Sequence, residues 1–433
     1  MDPDPAVPAA DDPGGAGPPR HSTVAARRRS RWWSVALVLV ALLAFSGSAA
    51  GFAFARLQGT VNDVGDLGAL IGGTSAGATP RSQPDRWAGR ALTFLAIGSD
   101  DRNGVNGDIG GTVGGMRSDT TMLVHVSADR SRVEVVSIPR DSEVRIPACH
   151  LDRDPAGAMS SPTKDKFNAA FSVGGASGDA GLAGLCTAAT VAENTGIDVG
   201  ADFAIVDFAG FEGMVDAIGG VRVCVPEAIR DTHRNTNLDL SAGWHTLTGA
   251  QALDYVRARY VTGSDNSDTQ RIPRQQKFIG ALVRKVTSSD VLTSPRSVAG
   301  FLEQGASSLT LSGDLTSLSN LSGLAWSLRS LDPAEVVFLT VPTAPKPGSK
   351  GRVLWTDDAD LLWGRLAADE PVVVPGATGE PSGTPTGEAT GEATGEASAP
   401  GPTVTTDPED SPDAPVPSIT ARTGVDPDDE ACG

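Results

Sequence analysis

The residues able to do chemistry sit at the ends of apolar runs. Asp100, Asp101 and Arg102 follow ALTFLAI (91–97). Arg117 and Asp119 flank Ser118 just ahead of a β-rich stretch at 121–138, and Pro139, Arg140 and Asp141 follow that stretch. Arg257 and Arg259 close one helical pattern, and Arg271 and Arg274 open another. Taken singly, each charge reads as a solvated surface residue. Their joint placement is less easily dismissed, because open α/β sheets bind ligands beyond the carboxyl ends of their strands. Several guanidinium groups converging there suit phosphate, whose oxygens they bind bidentately while staying charged. A pair of aspartates suits Mg²⁺, which takes carboxylate and phosphate oxygens.

Other chemistries fail on context. GTSAG (73–77) spells a nucleophile elbow, but it lies in a Gly-rich linker without the strand before and helix after that an elbow needs. GVNGDIGGTVGGM (104–116) follows a strand but no helix follows it, so it reads as a mobile loop and not a dinucleotide loop. The four Cys (Cys149, Cys186, Cys224, Cys432) form no C-x-x-C and the five His no H-E-x-x-H, which removes zinc-ribbon and zincin sites. The net charge is −18, with no Lys/Arg run beyond 27–31; a duplex-binding surface needs a dense basic face, so no nucleic-acid partner is expected.

The elements that must hold these residues alternate. Strands are expected at 91–97, 121–138 (a hairpin), 203–208, 221–225 and 335–341, and helices at 179–196, 210–220, 248–260, 274–289 and 356–370. This mixture predicts an α/β fold: a single layered α/β/α domain with a mixed central sheet.

The flanks set the compartment. Ser34–Phe54 is 21 residues without a charge, enough to cross roughly 30 Å of hydrocarbon as a helix. Arg27, Arg28, Arg29 and Arg31 precede it and Trp32 and Trp33 stand at its edge, so the N-terminus is placed in the cytoplasm. A cleaved signal peptide is the alternative; either way the remainder lies outside. The expected organisation is a disordered cytoplasmic tail (1–33), a transmembrane helix (34–54), a juxtamembrane linker (55–90), an extracytoplasmic catalytic body (91–375) and a disordered tail (376–433). That last tail repeats TGEA three times from 386 to 397 and holds twelve acidic residues against one Arg. An oxidising outside space predicts a Cys149–Cys186 disulfide, with Cys224 reduced in its strand and Cys432 free; three buried reduced cysteines are the alternative.

Several blocks, in order, resemble one family. GSDDR (98–102), RSDTTMLVHV (117–126), VEVVSIPRDSEV (133–144), KFNAAFSVGG (166–175), VDFAGFEGMVDAIGGVRVCVP (207–226) and LTGAQALDYVRARY followed by RIPRQQ (271–276) are similar to the LytR-CpsA-Psr family. The resemblance is strong over 91–290 and looser to about 370. The cysteine placement and the acidic tail resemble actinobacterial members. The resemblance implies a phosphotransferase that moves a glycopolymer from a prenyl-pyrophosphate carrier to a peptidoglycan hydroxyl, the muramic acid 6-hydroxyl, at the membrane. It implies Mg²⁺ on Asp100 and Asp119, and a pyrophosphate clamp of Arg117, Arg140, Arg257, Arg259 and Arg271. Arg102, Arg274, Gln275, Asp141 and Asp268 are further expected substrate contacts. Two departures from the family pattern are a longer Gly-rich insert between Asp100 and Asp119 and Asp268-Thr269-Gln270-Arg271 without the usual Gly.

Three alternatives stand beside this reading: a prenyl-pyrophosphate hydrolase using the same site, a membrane-linked transcriptional attenuator, and a non-catalytic wall-glycan scaffold. Asp100, Asp141 and Asp268 are candidates for a general base. A prenyl chain also needs an apolar groove. The apolar helical runs LAGLCTAATV and FEGMVDAIGG serve equally as groove lining or as packed core.

Overall fold

The computed structural model describes residues 85–100, 116–231, 236–262, 268–288, 300–301, 303–305, 309–332, 335–349 and 351–372, with shorter stretches at 55–56, 58–59, 62–65, 67–71, 421–423 and 432. The expected transmembrane segment 34–54 and Arg102 lie outside the described residues. Among the described residues no helix is long and apolar enough to cross a membrane. The chain divides into two compact units, residues 1–56 and 57–433.

The centre of the second unit is an eight-stranded sheet. In chain order the strands are β1 (Asn62–Asp63), β2 (Leu92–Ser99), β3 (Ser118–Val126), β4 (Val133–Ile138), β5 (Phe203–Val206), β6 (Leu309–Leu311), β7 (Val336–Thr340) and β8 (Ala421–Thr423). They lie in the order β1-β6-β5-β2-β3-β4-β7-β8. The pairs β1/β6, β5/β2 and β4/β7 are parallel, and β6/β5, β2/β3, β3/β4 and β7/β8 are antiparallel. The expected mixed sheet is therefore present. Strand β4, VEVVSI, is buried at every position, which is how a strand covered on both faces reads.

Helices cover both faces. On one side α1 (Ala169–Gly174), α2 (Ala180–Thr195) and α7 (Asp357–Ala367) share a core with Leu95, Ile97, Leu123 and Val136, filled by Phe171, Ala183, Leu362 and Trp363. Helix α2 begins at Asp179, whose carboxylate accepts from the Gly181 and Leu182 amides, and it ends at Gly196 with φ of 72°, a left-handed stop that glycine adopts without strain. It lies so close to the sheet that a Cβ on Gly184 would come within 2.3 Å of the Phe203 ring.

On the other side lie α3 (Phe208–Ala217), α4 (Gly249–Arg257), α5 (Asp268–Val286) and α6 (Leu318–Ser327). Leu321 and Leu324 of α6 and Ile279 of α5 pack on Met122, Val126, Val135 and Phe338. Helices α3, α4 and α5 and the hairpin Val221–Val225/Gly243–Leu247 enclose a second apolar cluster around Val223, Leu247, Tyr255 and Phe278.

Two expectations about the ends require correction. Residues 376–433 read as a tail too polar to fold, yet Ala421–Thr423 adds to the sheet edge against Val337–Leu339. The open edge of β7 offers unpaired amides and carbonyls, and three residues from any extended segment satisfy them regardless of composition. Cys149 and Cys186 are bonded as expected, with Cα atoms 5.3 Å apart, but Cys224 is bonded to Cys432, Cα atoms 5.9 Å apart, so neither is a free thiol. The pair is separated by 208 positions, and no local spacing signals it.

Candidate active site

The site begins with an irregularity in the β2/β3 ladder. Gly98 pairs with Thr120 and Ser99 with Ser118, so Asp119 is an extra residue with no counterpart across the ladder. The Asp100 amide continues the ladder by donating to the Arg117 carbonyl at 2.7 Å. Regular alternation would send Arg117 and Asp119 to the face opposite Thr120 and Met122. The bulge removes that alternation, and Arg117, Asp119, Thr120 and Met122 all line one cavity while Ser118 is buried behind them. The reading of Asp119 as a residue just before the hairpin is thus corrected: β3 begins at Ser118, and the aspartate is aimed by a bulge within it.

The cavity has a volume of about 690 Å³ and lies between the sheet and helices α3, α4 and α5. The parallel strands β2 and β5 deliver Asp100 and Asp207 to its lining from their carboxyl ends. Five arginines join them: Arg117, Arg140, Arg257, Arg259 and Arg271. Asp119 is their hub. Arg140 Nη1 donates to Asp119 Oδ1 at 2.8 Å, and Arg259 Nη2 reaches both carboxylate oxygens at 2.9 Å. Arg271 Nη2 donates to the Asp119 carbonyl at 3.0 Å. Burial pushes the Asp119 carboxyl up, but Arg259, Arg271 and Arg140 together outweigh it and hold the group below the usual carboxylate range. Arg257 lies over the Phe208 ring, 4.1 Å from its centroid, and stands in the last turn of α4, where a helix favours a cation.

Helix α5 supplies one wall. Arg271, Gln275, Phe278, Ile279 and Leu282 all line the cavity, and their spacing places them on one helix face. The stripe runs from cation through amide to hydrocarbon, so the cavity wall passes from basic to apolar along the helix. Phe211 and Phe278, with ring centroids 5.4 Å apart, meet within it.

The consecutive residues Arg274, Gln275 and Gln276 divide three tasks. Arg274 Nη2 donates to the Ala258 carbonyl and Gln275 Nε2 to the Val256 carbonyl at 3.1 Å, so both satisfy carbonyls left open at the end of α4. Gln275 also donates to Thr120 Oγ1 at 2.9 Å. Gln276 is buried and bonds Ser137 Oγ, Leu339 O and Thr340 Oγ1, tying α5 to β4 and β7.

The expected site residues therefore separate into groups. Asp100, Asp119, Arg117, Arg140, Arg257, Arg259, Arg271 and Gln275 share the cavity. Arg274 does not line it and donates to the Ala258 carbonyl between Arg257 and Arg259 in sequence, where burial pulls its pKa down. Asp141 is also off the cavity, held by Lys166 Nζ at 2.6 Å. The backbone of Asp268 opens α5, six residues ahead of the helix start expected at 274. Residues that no charge pattern singled out are Asn168, Asp207, Tyr260 and the apolar lining. A signal existed for Asp207, since it follows a strand's carboxyl end. Of the two apolar helices weighed as groove lining, α3 contributes Phe208, Phe211 and Met214, whereas α2 is packed in the core with Ala183, Cys186 and Val191.

Among the described residues no group of three or more His, Cys, Asp or Glu is assembled for a metal. Three carboxylates, Asp100, Asp119 and Asp207, line the cavity, and Asp100 and Asp119 are the expected pair. Mg²⁺ takes one or two carboxylates and completes its octahedron with water and substrate oxygens, so this donor set fits it.

The family model of the LytR_cpsA_psr family matches residues 75–362. The chain belongs to this family. It is 33% identical over 273 residues to the probable cell wall biosynthesis protein LcpB of Corynebacterium glutamicum, covering 62% of this chain and 58% of that one. It is 28% identical to the polyisoprenyl-teichoic acid–peptidoglycan teichoic acid transferase TagT of Bacillus subtilis, covering 72% and 87%. The LytR-Csp2A-Psr enzyme of Actinomyces oris, a solved structure, matches at 24% identity with a TM-score of 0.48, covering 66% of this chain and 92% of that one. The chain spans less than two-thirds of the length of LcpB and of its Corynebacterium relative LcpA. The expected likeness to actinobacterial members holds.

Proposed function

We propose that this protein is a Mg²⁺-dependent phosphotransferase that moves a glycopolymer from a prenyl-pyrophosphate carrier to a peptidoglycan hydroxyl, the muramic acid 6-hydroxyl. One observation carries the reading: five arginines line one cavity together with an apolar wall that includes Phe208, Phe211, Leu253, Phe278, Ile279 and Leu282. A ligand matched to it has concentrated negative charge beside a long apolar chain. A prenyl pyrophosphate has both, and a nucleotide or a free sugar phosphate lacks the chain.

In this reading the apolar walls from α3 and α5 bind the prenyl chain and exclude water. The arginines grip the two phosphates and hold the glycan-linked phosphorus at the mouth, where a wall hydroxyl can approach. The hydroxyl oxygen bonds to that phosphorus, the bond from phosphorus to the prenyl phosphate oxygen breaks, and the electron pair leaves with prenyl phosphate. The hydroxyl proton passes to solvent. Phosphoryl transfer depends chiefly on positioning and on neutralising charge, and the arginines supply both through contacts that strengthen as the leaving phosphate gains charge. Asp119, kept ionised by its arginines, and Asp100 would hold Mg²⁺, which when bound supplies further neutralisation at the phosphates.

The proposed setting is a single-pass cell-membrane protein with its N-terminus cytoplasmic and this body outside, facing lipid carrier and wall. The test is incubation of the full chain with a labelled lipid-linked glycan, nascent peptidoglycan and Mg²⁺. Glycan phosphate bound covalently to the wall is the expected result. Release of free glycan phosphate identifies a hydrolase, and no Mg²⁺-dependent turnover identifies a scaffold.

A further inference from the structure

We infer that Asp141 and Lys166 are positioning residues that set the plane of the Arg140 guanidinium, a role that rests on the proposed transferase activity. Arg140 is gripped on two edges. Its Nη1 meets Asp119 Oδ1 at 2.8 Å and its Nε faces Asp141 Oδ2 at 3.7 Å, an ion pair longer than a hydrogen bond. Asp141 is itself fixed by Lys166 Nζ on Oδ1 at 2.6 Å. The ion chain Lys166–Asp141–Arg140–Asp119–Arg259 thus runs from Lys166 to the cavity lining.

The contact at Nη1 anchors one edge of the guanidinium. A second carboxylate facing Nε favours one orientation electrostatically, and directional binding of phosphate needs the plane held. Asp119 cannot do this alone because Arg259 shares both its oxygens. The backbone supports the arrangement. Lys166 pairs with Glu143 in the hairpin Glu143–Ile146/Thr163–Lys166, the Phe167 amide donates to Ser142 O at 2.8 Å, and the Asn168 amide donates to Arg140 O at 3.2 Å. The segment 166–168 is therefore laced to 140–142 by one ion pair and two backbone bonds. Asp141 lies off the cavity, so it acts through Arg140 and not on substrate, and it is removed from the candidates for general base.

The test combines kinetics with arginine side-chain NMR on the full chain. Asp141→Asn keeps the shape and loses the charge, Lys166→Met loses the anchor, and Lys166→Arg restores it. The expected result is a fall in kcat of about tenfold or more for the first two, with KM and melting temperature little changed and recovery in Lys166→Arg. In the Arg140→Ala background, Asp141→Asn is expected to add nothing, because coupled residues are not additive. The Arg140 Nε–H signal, assigned by its loss in Arg140→Lys, should report a restricted side chain in wild type and a more mobile one in Asp141→Asn, read from its 15N relaxation order parameter. Wild-type kcat in Asp141→Asn, or losses that add in the double variant, overturn the inference. An inactive wild-type chain overturns the transferase reading instead; the Nε order parameter then decides the positioning contact separately, and one that is unchanged by Asp141→Asn overturns it.

Discussion

At the scale of single residues, charge is used in two opposite ways in this protein. At Asp119 the arginines outweigh burial and keep the carboxylate ionised. Removing one of them should therefore affect function more than folding. Arg140→Ala is expected to lower turnover roughly 10²-fold or more, with thermal unfolding by circular dichroism close to wild type, because Arg259 remains on Asp119. Retention of full turnover would assign the clamp to other arginines. Asp202 shows the reverse balance. Burial, with a smaller contribution from Asp314, raises its pKa to about 6, although its Oδ1 accepts from the Asp314 amide at 2.8 Å. Unfolded, the group titrates near 3.8. The folded state thus holds the proton more tightly, and stability from this group is full below about pH 4 and is lost as pH rises through about 6. Asp202→Asn keeps the oxygen acceptor and drops the charge. It should stabilise by on the order of 2 kcal/mol at pH 7.5 and by little at pH 4, read from urea midpoints at the two pH values. Equal gains at both would contradict the assignment.

Elements decide where those residues point. The β3 bulge puts Arg117 and Asp119 on the cavity face, and the sequence RSDTT carries no mark that distinguishes a bulge from plain alternation. A helix over 274–289 was legible, but its extension to Asp268, the face that lines the cavity from Arg271 onward and the residues that cap α4 were not. Helix α2 tests close packing. Its approach to Phe203 leaves no room at Gly184, so Gly184→Ala should destabilise by about 1–3 kcal/mol through overpacking, despite alanine's better helix propensity. Denaturant unfolding checks the sign, and a gain in stability would mean that the helix can back away from the sheet. Gln276 makes a second test. Its amide serves three acceptors on two strands, and Gln276→Leu should cost about 1–3 kcal/mol by leaving them unsatisfied, measured by the same unfolding experiment.

The whole molecule is closed by two long-range covalent links. Cys149–Cys186 spans 37 positions and Cys224–Cys432 spans 208. If constraint of the unfolded chain dominates, replacing the first pair by serine costs about 4 kcal/mol and the second about 5. Thermal unfolding of the two double-serine variants measures this, and a non-reducing peptide map checks the pairing; a Cys149–Cys224 peptide would refute it. Several properties were legible from sequence alone. Residue order and composition determined the mixed α/β class, α2, α3, α4, α5 and α7 but not α1 or α6, the inventory of arginines and aspartates, and the family, because apolar periodicity and short motifs are local and survive reading in one dimension. The tertiary structure alone decided that eight expected residues share one cavity while Asp141 and Arg274 stand behind it, that α3 lines the cavity while α2 fills core, and that the distal tail returns to Cys224 and the sheet edge. Each of these depends on contacts between distant positions, on a bulge of one residue, or on which side of a sheet a helix lands. Such choices are set by the packing free energy of the whole chain, and no window of local sequence contains it.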